Sequence, residues 1–509
     1  MILGESTRAV GTAATLDDLF RRAGVRHPDA IALADTPNRE CFAEGATRKL
    51  SFAQADRAIS AFAARLRSLG LQTDSVVAIH LPNTVESIVA FMGVLRAGMI
   101  AAPLPLLWRQ AEITAALRRI SAKAIVTYSR IGTFAHAQVA MQSAAELFSI
   151  RHVCSFGKDL PDGVAPLDDI FVSDAIEAVA PPRREGLAAA HVAAITFNAD
   201  ATGLTPVARS HVELVAGGLE IFLETGSATD VPLLSTIPIS SFAGTALTLL
   251  PWLLGGGALH LHHSFDLGAF AAQCVEISDG IVALPAAAVP AIAKTGLLSA
   301  KQATVALWRA PERFPTAKMW THASSLVDVA SFGEIGVIAA RRGLNGLPAP
   351  IPLGVVNSPH RVSDAAAVAE TSRTIAGTLA LRGRMVPAQS FPSPVEDGQP
   401  LDVGPVGPGF IDTGFACRPG QDAQTLIITA SPTGTISVGG YSFRQSQIDA
   451  LVTQADSEAT IVALPDSDLG HRLAGSAADR AAMRASLQAR GANPLLSGAF
   501  KPRGVPEAA

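Results

Sequence analysis

Strand-like and helix-like segments alternate along the chain up to about residue 345, and this alternation limits the possible folds more than any other feature. Residues 55–70 and 84–98 carry apolar side chains at helical spacing, and both segments end in glycine. The short apolar run VVAIH lies between them, and AIVTY follows the next helical segment. A second cycle of the same kind begins near residue 191. Strands joined through helices pair in parallel, so the pattern predicts an α/β fold in which helices flank mainly parallel sheets on both faces.

The pattern changes near residue 345 and again near residue 430. Gly and Pro become frequent after residue 345, and short strands between turn residues predict a β-rich subdomain over about 345–430. Strand and helix patterns then alternate again and predict a small α+β C-terminal domain. We therefore divide the 509 residues into an N-terminal region, 1–430, and a shortened C-terminal domain, 431–509.

Composition excludes several classes of protein. Hydrophobic residues make up 49% of the chain and charged residues 17%, which permits a large buried core. The formal net charge of -4, without a cluster of basic and aromatic residues, argues against a nucleic-acid-binding surface. The four cysteines are far apart and have no metal-ligand spacing, so we interpret them as reduced thiols of a cytoplasmic protein.

One uncharged segment, 242–261, is long enough to cross a bilayer. Pro251 and the glycines at 255–257 interrupt it in the middle. The sequence therefore predicts a buried helix followed by a buried strand, and no membrane span.

Two long segments, VVAIHLPNTVESIVAFMGVLRAGMIAAPLP and AEITAALRRISAKAIV, resemble acyl-CoA synthetases of the adenylate-forming (AMP-binding) superfamily. The resemblance continues in family order through ITFNADATGL, GTLALRGRMV and SVGGYSF, and it covers nearly the whole chain. It implies two reaction steps: a carboxylate and Mg-ATP form an acyl-adenylate, and the thiol of CoA then displaces AMP. It also implies a large N-terminal region and a small mobile C-terminal domain.

Relatives carry a phosphate-binding loop that ends in Thr-Gly-x-Pro-Lys, where small residues let backbone N–H groups approach phosphate. The resemblance places this loop at Asn198, Asp200, Thr202 and Gly203. Val207 occupies the lysine position, unless a one-residue shortening has removed it, and Asp200 adds negative charge where a triphosphate would lie. Like charges about 4 Å apart at an effective dielectric constant near 20 repel by about 4 kcal/mol, so the sequence favours a structural turn over a phosphate cradle.

A glutamate that holds magnesium in relatives has two possible positions here. Alignment on GVIAA places Glu334 at the glutamate and Gly333 at the preceding threonine, which makes Glu334 a candidate catalytic and magnesium-binding residue. A structural ion pair is an equally good interpretation of this carboxylate. Alignment on Phe332 and Gly333 instead places Gly336 at the glutamate and removes the metal ligand.

Other nucleotide contacts of the family are substituted. Phe415 stands where relatives have an aspartate that accepts hydrogen bonds from ribose, and a benzyl group cannot accept them. Ser431 stands at the arginine before the hinge, and the hinge itself falls near Thr433 or Gly434. Lys501 is a poor match for the catalytic lysine that stabilises charge during adenylation.

The residues that the resemblance assigns to the acyl group and to CoA are retained. The acyl pocket corresponds to Ser241, Phe242 and Gly244, which are small or apolar and suit a hydrophobic carboxylic acid. Gly439 and Gly440 leave room for the pantetheine arm of CoA, with Tyr441 beside it, although a simple tight turn is an equal alternative.

This uneven retention predicts a CoA ligase with impaired adenylation. Such a protein uses CoA and a hydrophobic acid, or an acyl-adenylate made by a separate adenylating enzyme, and its use of ATP and magnesium is doubtful. One alternative is a non-catalytic protein that binds acyl groups or CoA on the same scaffold. Another is a conventional ATP-dependent acyl-CoA synthetase with substituted contacts.

Overall fold

The computed structural model describes residues 14–172, 179, 182, 184–200, 203–316, 318–356, 368–387, 391, 405–407, 409–466 and 469–501. The helices are α1 (Leu16–Arg26), α2 (Phe52–Ser68), α3 (Val85–Arg96), α4 (Gln110–Arg119), α5 (His136–Ala145), α6 (His211–Thr225), α7 (Phe242–Gly244), α8 (Leu250–Gly255), α9 (Leu267–Glu276), α10 (Val289–Lys294), α11 (Gln445–Ala455), α12 (Arg480–Ala489) and α13 (Pro494–Gly498). A π-helical stretch, Thr245–Leu249, joins α7 to α8.

The strands of the N-terminal region are β1 (Ile31–Ala34), β2 (Lys49–Ser51), β3 (Val76–Ile79), β4 (Ile100–Pro103), β5 (Ala124–Tyr128), β6 (His152–Phe156), β7 (Val164–Pro166), β8 (Val192–Asp200), β9 (Gly203–Ser210), β10 (Leu233–Ser235), β11 (Leu259–Leu261), β12 (Ile281–Pro285), β13 (Ala303–Trp308), β14 (Ser325–Phe332) and β15 (Gly336–Arg341). Further along the chain are β16 (Ile351–Pro352), β17 (Gly354–Val356), β18 (Ala369–Arg373), β19 (Thr378–Arg382), β20 (Pro405–Gly407), β21 (Phe410–Pro419), β22 (Thr425–Ala430), β23 (Thr435–Val438), β24 (Tyr441–Arg444), β25 (Thr460–Asp466) and β26 (Gly470–Ser476).

Two large sheets form the part of the N-terminal region that ends at Arg341. One has the strand order β7-β6-β5-β3-β4-β8-β9 and is parallel except for the β8–β9 pair. The other has the order β15-β14-β13-β12-β10-β11-β1-β2 and is parallel except at its two outer pairs. The main apolar core contains residues of both sheets together with α2 and α3, and every residue of α3 is buried. The predicted α/β fold with mainly parallel sheets is confirmed.

The third sheet is antiparallel throughout. It has the order β16-β22-β21-β19-β18-β17, with β20 paired to β21, and it spans the part of the chain for which the sequence predicted a β-rich subdomain. Alternate residues of β21 are buried, as expected for a strand with one face on the core.

The last part of the described chain has a core of its own. Strands β24-β23-β26-β25 form an antiparallel sheet, and α11, α12 and α13 pack their apolar residues against it. We call this sheet and its helices the small domain. The boundary between residues 430 and 431 agrees with this separate core, but the domain limits stay a prediction.

The uncharged segment at 242–261 forms a helix and then a strand, as the sequence predicted. The helix runs through α7, the π-helical stretch and α8, and β11 follows. Within the described ranges, no helix has both the length and the apolar character needed to cross a membrane. All four cysteines are free, and Cys41 is exposed.

Candidate functional site

The segment that corresponds to the phosphate loop lies in a β-hairpin. Asn198 of β8 pairs with Thr205 of β9, and Asp200 pairs with Gly203 next to the turn. Thr202 lies outside the described residues. Backbone groups in an antiparallel ladder bond to the opposite strand, so fewer of them point freely towards a ligand than in an open loop. Both interpretations of these residues, a structural turn and a phosphate cradle, stay predictions.

Glu334 lies in the turn between β14 and β15, and it is nearly buried at 8% exposure. Its Oε2 accepts a hydrogen bond from the backbone N–H of Phe242 at 2.7 Å, at the start of α7. The carboxylate is therefore a partnered group, and it joins the β14–β15 turn to the helix that follows Ser241. Among the residues that the structure describes, no three His, Cys, Asp or Glu side chains form a group that could hold a metal ion.

Gly333 brings a second predicted residue to the same place. Its φ of 57° is left-handed, and a Cβ at this position would lie 2.6 Å from Oδ1 of Asn198. A glycine is required because any side chain would be strained and would meet Asn198. Asn198, Gly333 and Glu334, which come from two different predicted elements, are therefore neighbours in the fold.

The residues assigned to the acyl pocket are tightly packed. Phe242 is fully buried, and its ring lies so close to α6 that a Cβ on Gly217 would be 2.5 Å from its Cζ. A Cβ on Gly244 would collide with the carbonyl oxygen of Pro238. Ser241 caps the helix by accepting a hydrogen bond from Gly244 N at 3.1 Å. These residues build one wall of the site, and their contact with an acyl group stays a prediction.

Arg209, which the sequence reading did not single out, lies in the same region. It is 1% exposed, and its guanidinium lies 3.7 Å from the centroid of the Phe242 ring. Its Nη2 donates to the backbone oxygens of Glu334 and Ile335. Burial lowers the pKa of Arg209 to about 10, against the attraction of Glu334. The arginine thus holds the β14–β15 turn against the helix that begins at Phe242.

Arg309 is a second missed arginine, directly after β13. Its Nη2 donates to Oγ of Ser241 at 3.1 Å. Burial lowers the pKa of Arg309, and the attractions of Glu334 and Tyr441 act in the opposite direction. A signal was available in the sequence, because sites of α/β sheets lie beyond the carboxyl ends of parallel strands, and Arg309 is the first residue after such a strand.

Gly439 and Gly440 form the two-residue turn of the β23–β24 hairpin. Their φ angles are 55° and 88°, and Val438 pairs with Tyr441 on either side of them. A turn with two positive φ angles suits glycine and is the common tight connection of hairpins. A Cβ on Gly440 would lie 2.5 Å from Cδ of Arg309, so the turn of the small domain lies directly against the N-terminal region.

Tyr441 extends this contact. The backbone of Leu107 lies within hydrogen-bonding reach of its hydroxyl, and Arg309 and Arg109 attract the phenolate form. Burial outweighs these effects and raises the pKa of Tyr441. The residues predicted to contact CoA are therefore at the contact between the small domain and the N-terminal region.

The junction between the two parts is held at a neighbouring segment. Oγ of Ser431 donates to Oε1 of Glu312 at 2.8 Å, and Nη1 of Arg313 donates to the carbonyl oxygen of Gly470 at 3.4 Å. Gly434, one of two candidates for the hinge, has a φ of 76° and open space around its Cα. The position of the hinge stays a prediction.

Phe415 is a core residue of β21. It is 6% exposed, and its ring meets that of Phe332 edge to face, with 5.6 Å between centroids. It thus lies beside the strand end that leads into Gly333. Lys501 follows α13 at the far end of the chain, where its backbone carbonyl accepts a hydrogen bond from Arg480 at 3.2 Å.

Comparison with known proteins identifies the family of the chain. A family model described as AMP-binding enzyme matches residues 20–334. The chain belongs to this family of adenylate-forming ligases. It is 26% identical over 473 residues to 2-hydroxy-7-methoxy-5-methyl-1-naphthoate–CoA ligase of Streptomyces carzinostaticus, which covers 88% of this chain and 80% of that ligase.

Solved structures have the same fold. The amide bond synthetase McbA from Marinactinospora thermotolerans superposes with a TM-score of 0.71 at 17% identity, covering 94% of both chains. A double mutant of o-succinylbenzoate CoA synthetase from Bacillus subtilis, bound to a product analogue, gives a TM-score of 0.67 at 11% identity, with 94% of this chain and 93% of that chain covered. At these identities the likeness establishes the fold alone.

Proposed function

We propose that this protein forms acyl-CoA thioesters from a hydrophobic carboxylic acid or from its preformed acyl-adenylate, and that its own adenylation step is weak. The observation that carries the proposal is the position of the Gly439–Gly440 turn. This turn and Tyr441 lie against Arg309 and Leu107 of the N-terminal region, beside Ser241. A residue assigned to CoA and a residue assigned to the acyl group therefore both contact Arg309.

The relatives give further support for CoA as a substrate. The Streptomyces relative is a CoA ligase by name, and the Bacillus synthetase was solved with a CoA product analogue. In the proposed step the sulfur of CoA attacks the acyl carbonyl carbon, a C–S bond forms, and the bond from that carbon to the phosphate oxygen breaks. AMP leaves with the electron pair, and the thiol proton passes to solvent.

Weak adenylation is supported by the residues that would contact ATP. Asn198, Asp200 and Gly203 lie in paired strands, and Phe415 packs against Phe332. Oε2 of Glu334, the candidate magnesium ligand, already accepts a hydrogen bond from Phe242 N. Loss of one electrostatic group usually reduces a rate by a factor of about 100 or more, so the loss of several should leave little activity.

The proposal is tested by separating the two half-reactions. Pyrophosphate exchange is measured with ATP and a panel of aromatic and aliphatic acids, and thioester formation is measured with synthetic acyl-adenylates and CoA. We expect thioester from at least one hydrophobic adenylate, with exchange near background. Robust exchange would instead identify a conventional ATP-dependent synthetase with substituted contacts.

A second candidate is a non-catalytic protein that binds acyl groups or CoA. The burial of Phe415 against Phe332 favours it, because an acyl-adenylate also needs its ribose to be held. Calorimetric titration with AMP, CoA and hydrophobic acids distinguishes the two. Binding of acids without binding of CoA, together with no thioester from any adenylate, would support this alternative and end the first proposal. If the preformed acyl-adenylate is the substrate, we propose a separate adenylating enzyme as its source.

A further inference from the structure

Arg309 lies at the meeting point of three parts of the site. It follows β13 at the carboxyl edge of the parallel sheet, donates to Ser241 at the start of α7, and lies against Gly440 of the small domain. Ser241 is assigned to the acyl pocket and Gly440 to CoA, and the two residues come from distant parts of the sequence. A ligand that joins the two subsites would pass this side chain.

Among the residues that the structure describes, no carboxylate is in contact with the guanidinium of Arg309. Its hydrogen-bond acceptor in the described ranges is the neutral hydroxyl of Ser241, and no described carboxylate oxygen lies within 4.0 Å of it. Glu334 attracts it only from a greater distance. Partial burial of a cation costs desolvation free energy, and this cost is offset only where solvent hydrates the cation or a ligand brings an anion to it.

The surrounding charges favour an anionic ligand. Arg209 and Arg309 both interact electrostatically with Glu334, and Arg109 interacts with Glu112 and Tyr441. Arg209 is fully buried and its Nη2 is bound to backbone oxygens, whereas Arg309 is only half-buried. Of these two arginines, Arg309 is therefore the more accessible to an incoming anion.

We propose that Arg309 binds a phosphate group of the ligand, either the phosphate of an acyl-adenylate or a phosphate of CoA. A planar guanidinium forms short, charge-assisted hydrogen bonds to phosphate oxygens, and these are stronger than bonds between neutral groups. This inference rests on the proposed function, because acyl-adenylates and CoA are the phosphate-bearing ligands that the function requires.

The test uses the full chain and four probes. Dissociation constants are measured by calorimetry for AMP and adenosine, and for CoA and pantetheine, so that each pair differs in phosphate. We expect Arg309→Ala to weaken binding of AMP, of CoA or of both by about 10- to 100-fold, and to leave adenosine and pantetheine unchanged. Arg309→Lys keeps the charge but loses the planar fork, so it should recover part of the affinity.

Arg313→Ala is the matched control, because Arg313 lies on the same segment and contacts the small domain through Gly470. It should leave all four dissociation constants near those of the wild type. If the Arg309 variants bind only AMP more weakly, the contact is to the adenylate phosphate. If they bind only CoA more weakly, the contact is to a phosphate of CoA. Thermal unfolding of each variant checks that it is folded. If Arg309→Ala does not fold, Arg309→Lys is compared with the wild type instead.

Three results would overturn the inference. One is unchanged affinity for AMP and CoA in both Arg309 variants. Another is equal weakening in Arg313→Ala, which would mean that docking of the small domain is responsible. The third is a wild-type protein that binds neither AMP nor CoA. The thioester assay on the wild-type protein separates failure of this inference from failure of the proposed function. If the wild type forms thioester while both Arg309 variants bind AMP and CoA as tightly as the wild type, only this inference is refuted.

Discussion

At the scale of single residues, charged groups at this site hold the backbone together. Glu334 accepts from Phe242 N, and Arg209 donates to the carbonyl oxygens of the β14–β15 turn. Both side chains are buried, so each hydrogen bond is protected from water and its loss would leave a buried polar group unpaired. A catalytic role of Glu334 must therefore be separated from this structural role.

Substitution of Glu334 makes that separation. Glu334→Ala should lower the free energy of unfolding by about 1–3 kcal/mol, because it leaves Phe242 N–H without its acceptor. Glu334→Gln keeps an oxygen acceptor, so its free energy of unfolding should fall by less. Urea-induced unfolding monitored by tryptophan fluorescence measures both. If both variants were as stable as the wild type, the carboxylate would not be structural, and a role in ligand or metal binding would gain support.

At the scale of secondary-structure elements, glycines set the distance between packed elements. Gly217 lets α6 approach the ring of Phe242, and Gly440 lets the β23–β24 turn approach Arg309. The first contact is inside the N-terminal region, and the second joins it to the small domain. Substitutions at these two positions should therefore have different consequences.

The turn is tested by Gly440→Ala, with Gly296→Ala as the control. Both residues have a positive φ, so alanine should cost about 1–2 kcal/mol of backbone strain at either position. Of the two, only Gly440 would bring the new Cβ against another side chain, that of Arg309, since the space at Gly296 is open. We expect Gly440→Ala to weaken CoA binding and slow thioester formation about tenfold, which is about 1.4 kcal/mol. Equal effects of the two substitutions in calorimetry and in the thioester assay would contradict a specific role for this contact.

The helix contact is tested by Gly217→Ala. A Cβ would lie 2.5 Å from Cζ of Phe242, whose fully buried ring has little space to move, so the substitution should lower the free energy of unfolding by about 1–3 kcal/mol. Gly24→Ala in α1 is the control, because its Cβ would make only an ordinary contact, 3.8 Å from Cβ of Phe52. The free energy of unfolding of this control should rise by about 0.5–1 kcal/mol, because alanine has the higher helix propensity. Chemical denaturation measures both, and a stabilising Gly217→Ala would mean that Phe242 is less constrained than its contacts indicate.

At the scale of the whole molecule, a group of three histidines, of which His80 and His136 are buried, joins elements of the two large sheets. His80 follows β3 of one sheet, His263 lies shortly after β11 of the other, and His136 begins α5. Nδ1 of His80 lies 3.4 Å from Nδ1 of His136. Burial, assisted by the positive charge of Arg109, lowers the pKa of His80 to about 4; burial and then His80 lower that of His136 to about 2. Burial also lowers the pKa of His263 to about 4.

These depressed pKa values predict a loss of stability in acid. Above pH 6.5 each histidine is neutral in both states, whereas between pH 6.5 and 4 the unfolded chain binds protons that the folded chain does not. Each such histidine should lower the free energy of unfolding at pH 5 by about 2 kcal/mol relative to pH 7. Asp35 and Glu112, whose pKa burial raises to about 6 and about 7, act with the opposite sign, so a comparison of variants is needed.

His80→Gln removes one of these titrations. Between pH 7 and pH 5 the wild type should lose about 2 kcal/mol more unfolding free energy than this variant, whatever the variant's stability at pH 7. His27→Gln is the control, because the side chain of His27 is 47% exposed. Urea-induced unfolding at several pH values measures the difference. Parallel pH profiles for the wild type and His80→Gln would show that His80 is protonated equally in both states.

Much of the fold could be predicted from the sequence because it follows from local patterns. The helices expected over 55–70 and 84–98 form at Phe52–Ser68 and Val85–Arg96. Apolar spacing sets these elements, and it is present in each segment without reference to the rest of the chain. The short helix α13 was missed, because it has too few turns to show a periodic pattern.

The candidate site was less predictable. The resemblance led to Glu334, Ser241 and Gly440, and the position of Arg309 directly after a parallel strand was a further signal. Nothing in the local pattern at Arg209 distinguishes a buried arginine from an exposed one. Arg209 meets the backbone of Glu334, which is 125 residues further along the chain. Its burial, and hence its lowered pKa, depends on that distant packing.

The sequence by itself determined the order of the strands and helices, the change to a β-rich part and the separate small domain, because apolar periodicity and turn residues act locally. Only the tertiary structure decided that Arg309, Ser241 and Gly440 meet, and that Phe415 lies in the core beside Phe332. The physical reason is that the energy of a charge or a ring depends on what surrounds it, and distant segments of the chain supply those surroundings.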